Sequence, residues 1–312
     1  MNLAPAFFIG DVSLDEYYAS ERWPGLADKG FVDFLGSYVG GSIANAASVH
    51  AGFGSPTEFV SLLNFSPISD RLIAELEARS VSVRHMLRQE GIAESRNLIF
   101  LAEGEHVVLT VDMGFQPMQL SGQLMRDLRQ SGYLYTTLFR ARRLRHGELG
   151  QAALLQDLRA HGRRTVFDLD VGGFGQADLP CLRGASVLIL NQVGYATAFG
   201  DRPVESLDGW MEENEVGAVI RTRAADGAEA FDRQARYDVA GYAVPVEDVT
   251  GAGDTFGGAL LHVLGQGGGL DKALELAVAA SARAVTIRGP AGGIASHAEI
   301  AAFRASLAAR RH

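Results

Sequence analysis

The sequence contains a single cysteine, Cys181, among its 312 residues. An intramolecular disulfide is therefore impossible, and such a composition is typical of proteins that fold in a reducing cytoplasm. Long apolar runs are also missing, since none approaches the roughly 20 residues that cross a bilayer. The opening MNLAPAFFIG lacks the basic start and extended apolar stretch of a secretory signal. These absences predict a cytoplasmic protein without a membrane partner.

Positive charge is also scarce. With 28 Lys and Arg against 37 Asp and Glu, the formal net charge is −9, which gives no general attraction to nucleic acid. The one basic cluster is short, and we interpret it as a solvated face near a helix start: Arg140, Arg142, Arg143 and Arg145. The eight histidines show neither H-E-x-x-H nor a pairing with cysteine, so we expect no structural zinc site.

The chain does contain alternating strand and helix patterns. Hydrophobic residues make up 47% and charged residues 21%, as in folded globular proteins. Apolar runs such as TVFDLD (165–170) and SVLILN (186–191) are separated by helical patterns. Helices are predicted over 69–79, with Ser69 as a plausible cap, and over 204–214. Three more are expected near 254–265, 270–287 and 297–309. Strand–helix–strand units of this length predict a mostly parallel sheet.

The first third of the chain breaks this alternation. Residues 13–38 mix aromatic and charged residues without a sustained period, and NLIFLA and HVVLTV flank a hairpin turn at 103–105. We therefore predict an α/β fold over 1–312: one domain, a three-layer α/β/α sandwich with a mostly parallel, Rossmann-like sheet. A small β-sheet lid would come from segments roughly 12–38 and 85–115. Exposed lid strands also make a homodimer through the lid a hypothesis.

The segment VEDVTGAGDTFGGALL (246–261) carries the most chemical information. Its small residues Gly251, Ala252 and Gly253 let the backbone approach a ligand closely. A helix is expected to begin at about Asp254, and the unsatisfied N–H groups at a helix start form an anion site with the helix dipole. Asp254 is then either the cap of this helix or a general base that takes a proton from an attacking hydroxyl.

Two common phosphate motifs are missing from the sequence. It has no G-x-x-x-x-G-K-[ST], which argues against a P-loop, and no G-x-G-x-x-G between a strand and a helix, which argues against dinucleotide binding.

DVTGAGDTFGGAL resembles the C-terminal signature of the ribokinase-like (PfkB-type) carbohydrate kinases. GGSIANAASVHAGFG (40–54) is similar to the first signature of the same family, and the two motifs stand in the family's order. The resemblance covers nearly the whole chain. It implies ATP-dependent phosphorylation of a hydroxyl on a sugar or sugar-like molecule by in-line transfer, with ATP and Mg²⁺ as cofactors.

The resemblance also implies roles for individual residues. Asp254 would be the catalytic base, with an anion hole formed by Gly251, Ala252 and Gly253. The implied substrate-binding residues are Asp11, Asp15, Gly40, Gly41 and Asn45. The implied nucleotide-binding residues are Asn191, Thr222, Ala224, Gly227 and Val278. A monovalent cation such as K⁺ would be held near Asp248 and Thr250. Two alternatives stay open, because Asp11 also suits a turn and Val278 also suits core packing.

The chain departs from the family pattern in places. Gly194 stands where the N-x-x-E motif has its glutamate, which helps to organise Mg²⁺ through water, and Ala224 replaces the first glycine of the T-x-G-x-x-G loop. Asp168 and Asp170 could compensate as carboxylates on the metal side. Substrate choice is expected to depend on polar residues of the lid and its surroundings: Ser13, Ser42, Asn97 and Thr137. Since Ser42 replaces a lysine of some ribose-specific relatives, ribose is not the expected acceptor.

Two further functions remain as alternatives. The first is a nucleoside kinase, in which aromatic rings near the lid stack on a base or instead pack the lid's own core: Tyr17, Tyr18, Trp23 and Phe31. The second is a sugar or nucleotide sensor that has lost catalysis, which Gly194 suggests because it replaces the glutamate that helps to organise Mg²⁺.

Overall fold

The computed structural model describes residues 4–25, 28–103, 105–111, 116–170 and 172–309. The strands are β1 (Ala6–Ile9), β2 (Ser13–Ser20), β3 (Asp33–Gly40), β4 (Thr57–Val60), β5 (Leu62–Leu63), β6 (Leu87–Arg88), β7 (Arg96–Ala102), β8 (Glu105–Thr110), β9 (Met118–Gln119), β10 (Gly132–Thr137), β11 (Leu144–Arg145), β12 (Arg163–Asp170), β13 (Val187–Asn191), β14 (Ala218–Thr222), β15 (Ala228–Phe231) and β16 (Arg236–Val239). The helices are α1 (Ser42–Gly52), α2 (Pro67–Ala78), α3 (Gly122–Leu128), α4 (Leu138–Ala141), α5 (Gln151–Ala160), α6 (Leu179–Leu182), α7 (Gln192–Phe199), α8 (Asp208–Glu213), α9 (Ala252–Gly265), α10 (Leu270–Ala284) and α11 (His297–Ala309).

The central sheet confirms the predicted fold class. Among the described residues it has eight strands in the order β16-β15-β14-β13-β12-β10-β1-β4. The pairs from β14 to β4 are parallel, and β15 and β16 add an antiparallel edge. Both faces of the sheet are covered, which explains why its strands are apolar runs rather than alternating patterns.

Two apolar cores lie on opposite faces of the sheet and establish the three layers. Phe7 and Phe8 are neighbours in β1, and side chains alternate along a strand. Phe8 packs in the core formed with α1, α2, α9 and α10, whereas Phe7 packs in the core formed with α3, α5, α6 and α7. Both rings are at most 1% exposed, so each helical layer is anchored on this strand.

The lid is a separate four-stranded sheet in the order β3-β2-β7-β8. It confirms the predicted small second sheet, which is built from two distant segments and includes the β7–β8 hairpin. The second segment begins later than predicted, because β6 pairs with β5 outside the lid and the lid strands resume at Arg96. Residues 26–27, 104 and 112–115 of the predicted lid segments lie outside the described residues.

Helix boundaries show where local patterns mislead. The sequence suggests Ser69 as the cap of α2, but the helix begins earlier, at Pro67, and the Ser66 hydroxyl accepts a hydrogen bond from the Ser69 N–H at 3.3 Å. The predicted helix 204–214 is a 3₁₀ turn (Val204–Leu207) followed by the short α8. Helix α7 is not predicted, because QVGYATAF is apolar on most sides and shows no clear stripe.

Candidate active site

The candidate site lies at the carboxyl edge of the parallel strands, where open α/β sheets bind their ligands. Asp11 follows β1, Thr137 ends β10 and Asp170 ends β12. Helices α1 and α9 pack closely against each other. The glycines of the two motifs stand at the starts of these helices, so folding brings together two segments about 200 residues apart in the chain.

Asp254 lies in the first turn of α9, and its carboxylate is not used as a helix cap. The cap position is Gly251, which has a left-handed backbone (φ 77°) and provides no side-chain hydrogen bond. Instead, Asp254 Oδ2 accepts a hydrogen bond from Asn45 Nδ2 at 2.8 Å. Burial, aided by the charges of Asp168 and other nearby carboxylates, raises the pKa of Asp254 from 3.8 to about 7. A carboxylate with such a pKa is suited to accept a proton near neutral pH.

The start of α9 leaves space and hydrogen-bond donors for an anion. The Ala252 N–H donates to Val249 O at 3.2 Å, and the Thr255 N–H donates to Gly251 O at 2.8 Å. Within the described part of the chain, the N–H groups of Gly253 and Asp254 have no backbone acceptor. A Cβ added to Gly253 would meet no atom within 4 Å. Core packing therefore does not explain this glycine, whereas a close-lying ligand does.

The predicted substrate residues where the lid strands meet the central domain form one connected group. Asp15 accepts hydrogen bonds from Ser13 Oγ at 2.8 Å and from Asn97 Nδ2 at 2.7 Å. Asp15 and Asn97 are register neighbours on β2 and β7, which explains the contact. A Cβ on Gly40 would overlap the Asp15 carboxylate, and one on Gly41 would overlap the backbone carbonyl of Asp11. Both glycines are therefore required by close approach, and burial raises the pKa of Asp15.

A cavity of about 290 Å³ lies beside this group. It brings together all four residues expected to govern substrate choice: Ser13, Ser42, Asn97 and Thr137. Gly41 lies in its wall, and Asn45, one helical turn further along α1, connects the cavity with Asp254. Asp254 itself does not line the cavity, so a substrate there would reach the carboxylate along the start of α1.

Two arginines of the cavity wall were assigned to the wrong environment. Arg140 is 2% exposed and Arg143 is 7% exposed, so the interpretation of the basic cluster as a solvated face is wrong for both. Arg140 forms an ion pair with Asp11, and the Arg143 guanidinium lies 4.0 Å from the centroid of the Phe139 ring. Asp11 is thus an ion-pair partner within the cavity rather than only a turn residue. The alternation of charged and apolar residues in LFRARR gave no signal for this burial.

The region expected to hold the nucleotide phosphates is built around Asn191. This side chain caps α7 by accepting a hydrogen bond from the Gly194 N–H at 2.8 Å, and it donates to Asp170 Oδ1 at 2.7 Å. A Cβ on Gly194 would overlap the carbonyl oxygen of Asp170. A glutamate at position 194 is therefore excluded by the backbone, and Asp170 supplies the carboxylate beside Asn191.

A second carboxylate, Asp168, lies deeper in the same region. It accepts a hydrogen bond from the Tyr135 hydroxyl at 2.8 Å, and burial raises its pKa to about 6. The pairing of β12 with β13 shifts in register between Asp168 and Asp170. Both carboxylates therefore belong to the irregular carboxyl end of β12. In the described residues no group of three His, Cys, Asp or Glu side chains is arranged to hold a metal ion by itself.

The remaining nucleotide positions fall on a loop and in the core. Thr222 ends β14, and the following loop has Ala224 at φ 49° and Gly227 at φ 90°. The left-handed Ala224 occupies the backbone conformation that a glycine would adopt more readily. Val278 is 5% exposed and belongs to the core on the α10 face, which supports its packing alternative.

The proposed cation loop is held by its own backbone. Asp248 accepts hydrogen bonds from the N–H groups of Thr250 at 2.8 Å and Gly289 at 2.9 Å. Although burial acts in the opposite direction, these bonds lower the pKa of Asp248 below 3.8. Its carboxylate thus fastens the two loops that precede and follow α9 and α10.

The aromatic residues of the lid region pack largely on one another. Tyr18 stacks on Phe100 with ring centroids 5.3 Å apart, and Trp23 meets the same ring edge-on at 5.5 Å. Phe31 is fully exposed. Tyr17 meets the Tyr38 ring edge-on at 5.6 Å, and burial, followed by the charges of Asp15 and other neighbours, raises its pKa.

Comparison with known proteins finds relatives that match most of the chain. The chain is 27% identical over 293 residues to the bifunctional protein HldE of Pseudomonas savastanoi pv. phaseolicola, with 88% of this chain and 58% of the relative covered. It is 24% identical to the 2-dehydro-3-deoxygluconokinase of Thermoproteus tenax, with 83% of each covered. The chain thus spans about three fifths of the bifunctional relatives. In the described residues no helix is long and apolar enough to span a membrane.

Solved structures agree on the fold. The ribokinase of Arabidopsis thaliana, determined in complex with ribose and ATP, superposes with a TM-score of 0.81 at 19% identity and covers 96% of this chain and 98% of its own. The model of the pfkB family of carbohydrate kinases matches residues 27–296. This chain therefore belongs to the pfkB family of carbohydrate kinases.

Proposed function

We propose that this protein transfers the γ-phosphoryl group of ATP to a hydroxyl of a sugar or sugar-like molecule, with Asp254 as general base. One observation carries the proposal: Asp254 is the carboxylate at the start of α9, held by Asn45 rather than by a backbone N–H, with its pKa raised to about 7. A structural cap would have the opposite properties, namely a backbone hydrogen bond and a lowered pKa.

The reaction then follows from the positions of the groups. The acceptor hydroxyl, directed along the start of α1, gives its proton to Asp254 as its oxygen bonds to the γ-phosphorus and the bond to the β-phosphate bridging oxygen breaks. The N–H groups at the start of α9 would stabilise the charge on the transferred group. Asp15, anchored by Ser13 and Asn97, would accept hydrogen bonds from other hydroxyls of the substrate.

The residues around Asn191 fit the metal and phosphate chemistry that the family resemblance implies. Mg²⁺, when bound with ATP, would neutralise charge on the phosphates. Mg²⁺ retains several waters and needs few protein carboxylates, and Asp170 beside Asn191 offers one at the place from which a side chain at 194 is excluded. The Asp248–Thr250 loop is proposed to hold a monovalent cation through its carbonyl groups.

The two alternative functions are weakened by different observations. Tyr18 and Trp23 pack on Phe100, and Tyr17 packs on Tyr38, which weakens the case for rings that stack on a nucleoside base. A sensor without catalysis has no use for a carboxylate with a raised pKa at an anion site. The glutamate that is missing at Gly194 no longer argues for a sensor, because Asp170 offers a carboxylate beside Asn191.

A homodimer through the lid is supported by the lid's apolar surface. Phe34 is 59% exposed, Leu35 is 51% exposed and Val108 is 48% exposed. Sedimentation analysis of the wild type and of Phe34→Asp would test this proposal: a dimer converted to a monomer would support it, and a monomeric wild type would refute it.

The test of the function is ADP release from ATP and Mg²⁺ across ketoses, aldoses, sugar acids, sugar phosphates and nucleosides, with Asp254→Asn as the matched blank. Release with one class of acceptor, reduced at least 100-fold in the variant, is the expected result. Equal release by both proteins would contradict the role of Asp254, and silence with every acceptor would favour the sensor.

A further inference from the structure

The hydroxyl group of Tyr135 lies against helix α9, next to the turn that carries Asp254. Tyr135 belongs to β10 and is fully buried, and its ring packs on the Phe8 ring with centroids 5.3 Å apart. A Cβ added to Gly257, three residues after Asp254, would overlap the Tyr135 hydroxyl oxygen. Because a glycine within a helix lowers its stability relative to alanine, the close approach of this hydroxyl explains why position 257 has no side chain.

The Tyr135 hydroxyl provides the side-chain anchor of Asp168. It donates a hydrogen bond to Asp168 Oδ2 at 2.8 Å. Within the described residues, the other hydrogen bond of this carboxylate comes from the Asp170 N–H to Oδ1 and is longer, at 3.3 Å. A phenylalanine would fill the same place in the core without a buried polar group that needs a partner. The hydroxyl therefore serves the carboxylate rather than the packing.

Strand register places the Asp168 side chain on the face of the sheet that α9 covers. Tyr135 pairs with Val166, and both side chains belong to the core formed with α1 and α9. Asp168 follows Val166 by two residues, so its side chain projects toward the same face. It also lies near the carboxyl end of β12, at the edge of the sheet that forms the candidate site. Asp168 thus lies in the same layer and at the same edge as the first turn of α9.

The groups around Asp254 show what the position of Asp168 contributes. Burial is the largest cause of the raised pKa of Asp254, which is about 7, and the hydrogen bond from Asn45 acts in the opposite direction. Among the carboxylates that act on Asp254, Asp168 has the largest effect, followed by Asp170 and Asp15. These groups come from α1, β12 and the lid. Since two like charges held close together disfavour each other's ionisation, an immobilised Asp168 strengthens Asp254 as a base.

We propose that Tyr135 is a positioning residue for phosphoryl transfer: its hydroxyl, placed against Gly257, holds the Asp168 carboxylate beside the first turn of α9 and thereby maintains the basicity of Asp254. Without the hydroxyl, Asp168 loses its shorter hydrogen bond and is free to turn toward solvent, so Asp254 should bind a proton less readily. The inference rests on the proposed function for the role of Asp254 as the base, but not for the contact between Tyr135 and Asp168.

The experiment measures the pKa of Asp254 in Tyr135→Phe by carbon-13 NMR of the aspartate carboxyl groups. The Asp254 signal is identified by its absence in Asp254→Asn, so no acceptor is needed. The titration midpoint is expected to fall by about 0.5 to 1 pH unit relative to the wild type. Tyr133→Phe is the matched control. It removes a hydroxyl near the opposite end of the same strand, where Tyr133 accepts a hydrogen bond from Arg164 at 3.0 Å, and it should leave the midpoint unchanged.

A second variant makes the test independent of the folding of Tyr135→Phe. Asp168→Asn removes the charge itself and should lower the Asp254 midpoint by at least as much. The double variant should show no further change, because Tyr135 is proposed to act only through Asp168. Thermal unfolding checks that each variant folds. The inference is overturned if either Tyr135→Phe or Asp168→Asn leaves the midpoint unchanged, if Tyr133→Phe shifts it equally, or if the double variant shifts it beyond Asp168→Asn.

Kinetic measurements separate this inference from the proposed function. With an acceptor that releases ADP, the acidic limb of kcat/KM should move to lower pH in Tyr135→Phe by the same amount as the midpoint. Asp254-dependent ADP release with an unshifted midpoint would refute the role of Tyr135 and leave the kinase. A shifted midpoint without ADP release from any acceptor would refute the kinase and leave the contact that fixes Asp168. A change confined to the Mg²⁺ concentration required would assign Tyr135 and Asp168 to the metal and overturn the inference.

Discussion

Replacing Asp254 by asparagine should stabilise the fold at alkaline pH although it removes the proposed catalytic base. The ordinary pKa of 3.8 is raised to about 7 in the folded protein. Between these values the folded state binds a proton that the unfolded state has lost, so this group makes stability fall as pH rises from about 4 to 7 and adds no further change above that. One pKa unit corresponds to about 1.4 kcal/mol, which gives an upper limit of about 4 kcal/mol.

The measured effect should be smaller than this limit, because Asp254 is partly exposed and its carboxylate keeps the hydrogen bond from Asn45. We expect Asp254→Asn to raise the free energy of unfolding by roughly 1–3 kcal/mol at pH 8.5 and by about a third of that amount at pH 5, where only the first part of the loss between pH 4 and 7 has occurred. Urea denaturation of both proteins at the two pH values measures the difference. Equal effects at both pH values, or destabilisation at pH 8.5, would refute the argument.

Three further substitutions test separate parts of the site. Gly253→Ala should leave the melting temperature unchanged or higher, because its Cβ meets no atom within 4 Å. It should nevertheless lower kcat/KM by about 10- to 100-fold, because the transferred phosphoryl group is proposed to lie there. Wild-type activity in this variant would show that the phosphoryl group does not lie beside Gly253. Gly194→Ala should destabilise by about 1–3 kcal/mol in urea, since its Cβ overlaps the Asp170 carbonyl, and a neutral effect would show that position 194 is not excluded. Ala224→Gly should stabilise by up to about 1 kcal/mol by relieving a left-handed alanine, and a clear loss of stability would contradict the strain.

Local sequence patterns were sufficient for the central parallel strands, for the three C-terminal helices and for the two glycine motifs, but not for α7. The parallel strands are continuous apolar runs, and the helix starts at 42 and 252 follow glycines with a positive φ, Gly41 at 105° and Gly251 at 77°. The cap of α2 is Ser66 rather than the predicted Ser69, because both serines suit a cap and only the helix start at Pro67 distinguishes them.

Contacts between distant segments could not be read from such patterns. Asn45 and Asp254 are 209 residues apart in the chain, so the sequence showed neither that the amide holds the carboxylate nor that the capping alternative fails. The same limit applies to Gly194, whose neighbour Asp170 comes from another strand end. Local patterns could not indicate the burial of Arg140 either, because its partner Asp11 follows the distant β1.

The pH dependence of kcat/KM tests the central claim most directly, because it reports the pKa of the essential base in the free enzyme. With the acceptor identified by ADP release, the account predicts that kcat/KM rises about tenfold per pH unit below neutrality and levels off above about 7. Asp254→Asn should lose this rise and be roughly 10²–10⁴-fold slower at pH 8. An unchanged acidic limb in the variant, or an unchanged rate, would contradict the assignment of Asp254 as the base.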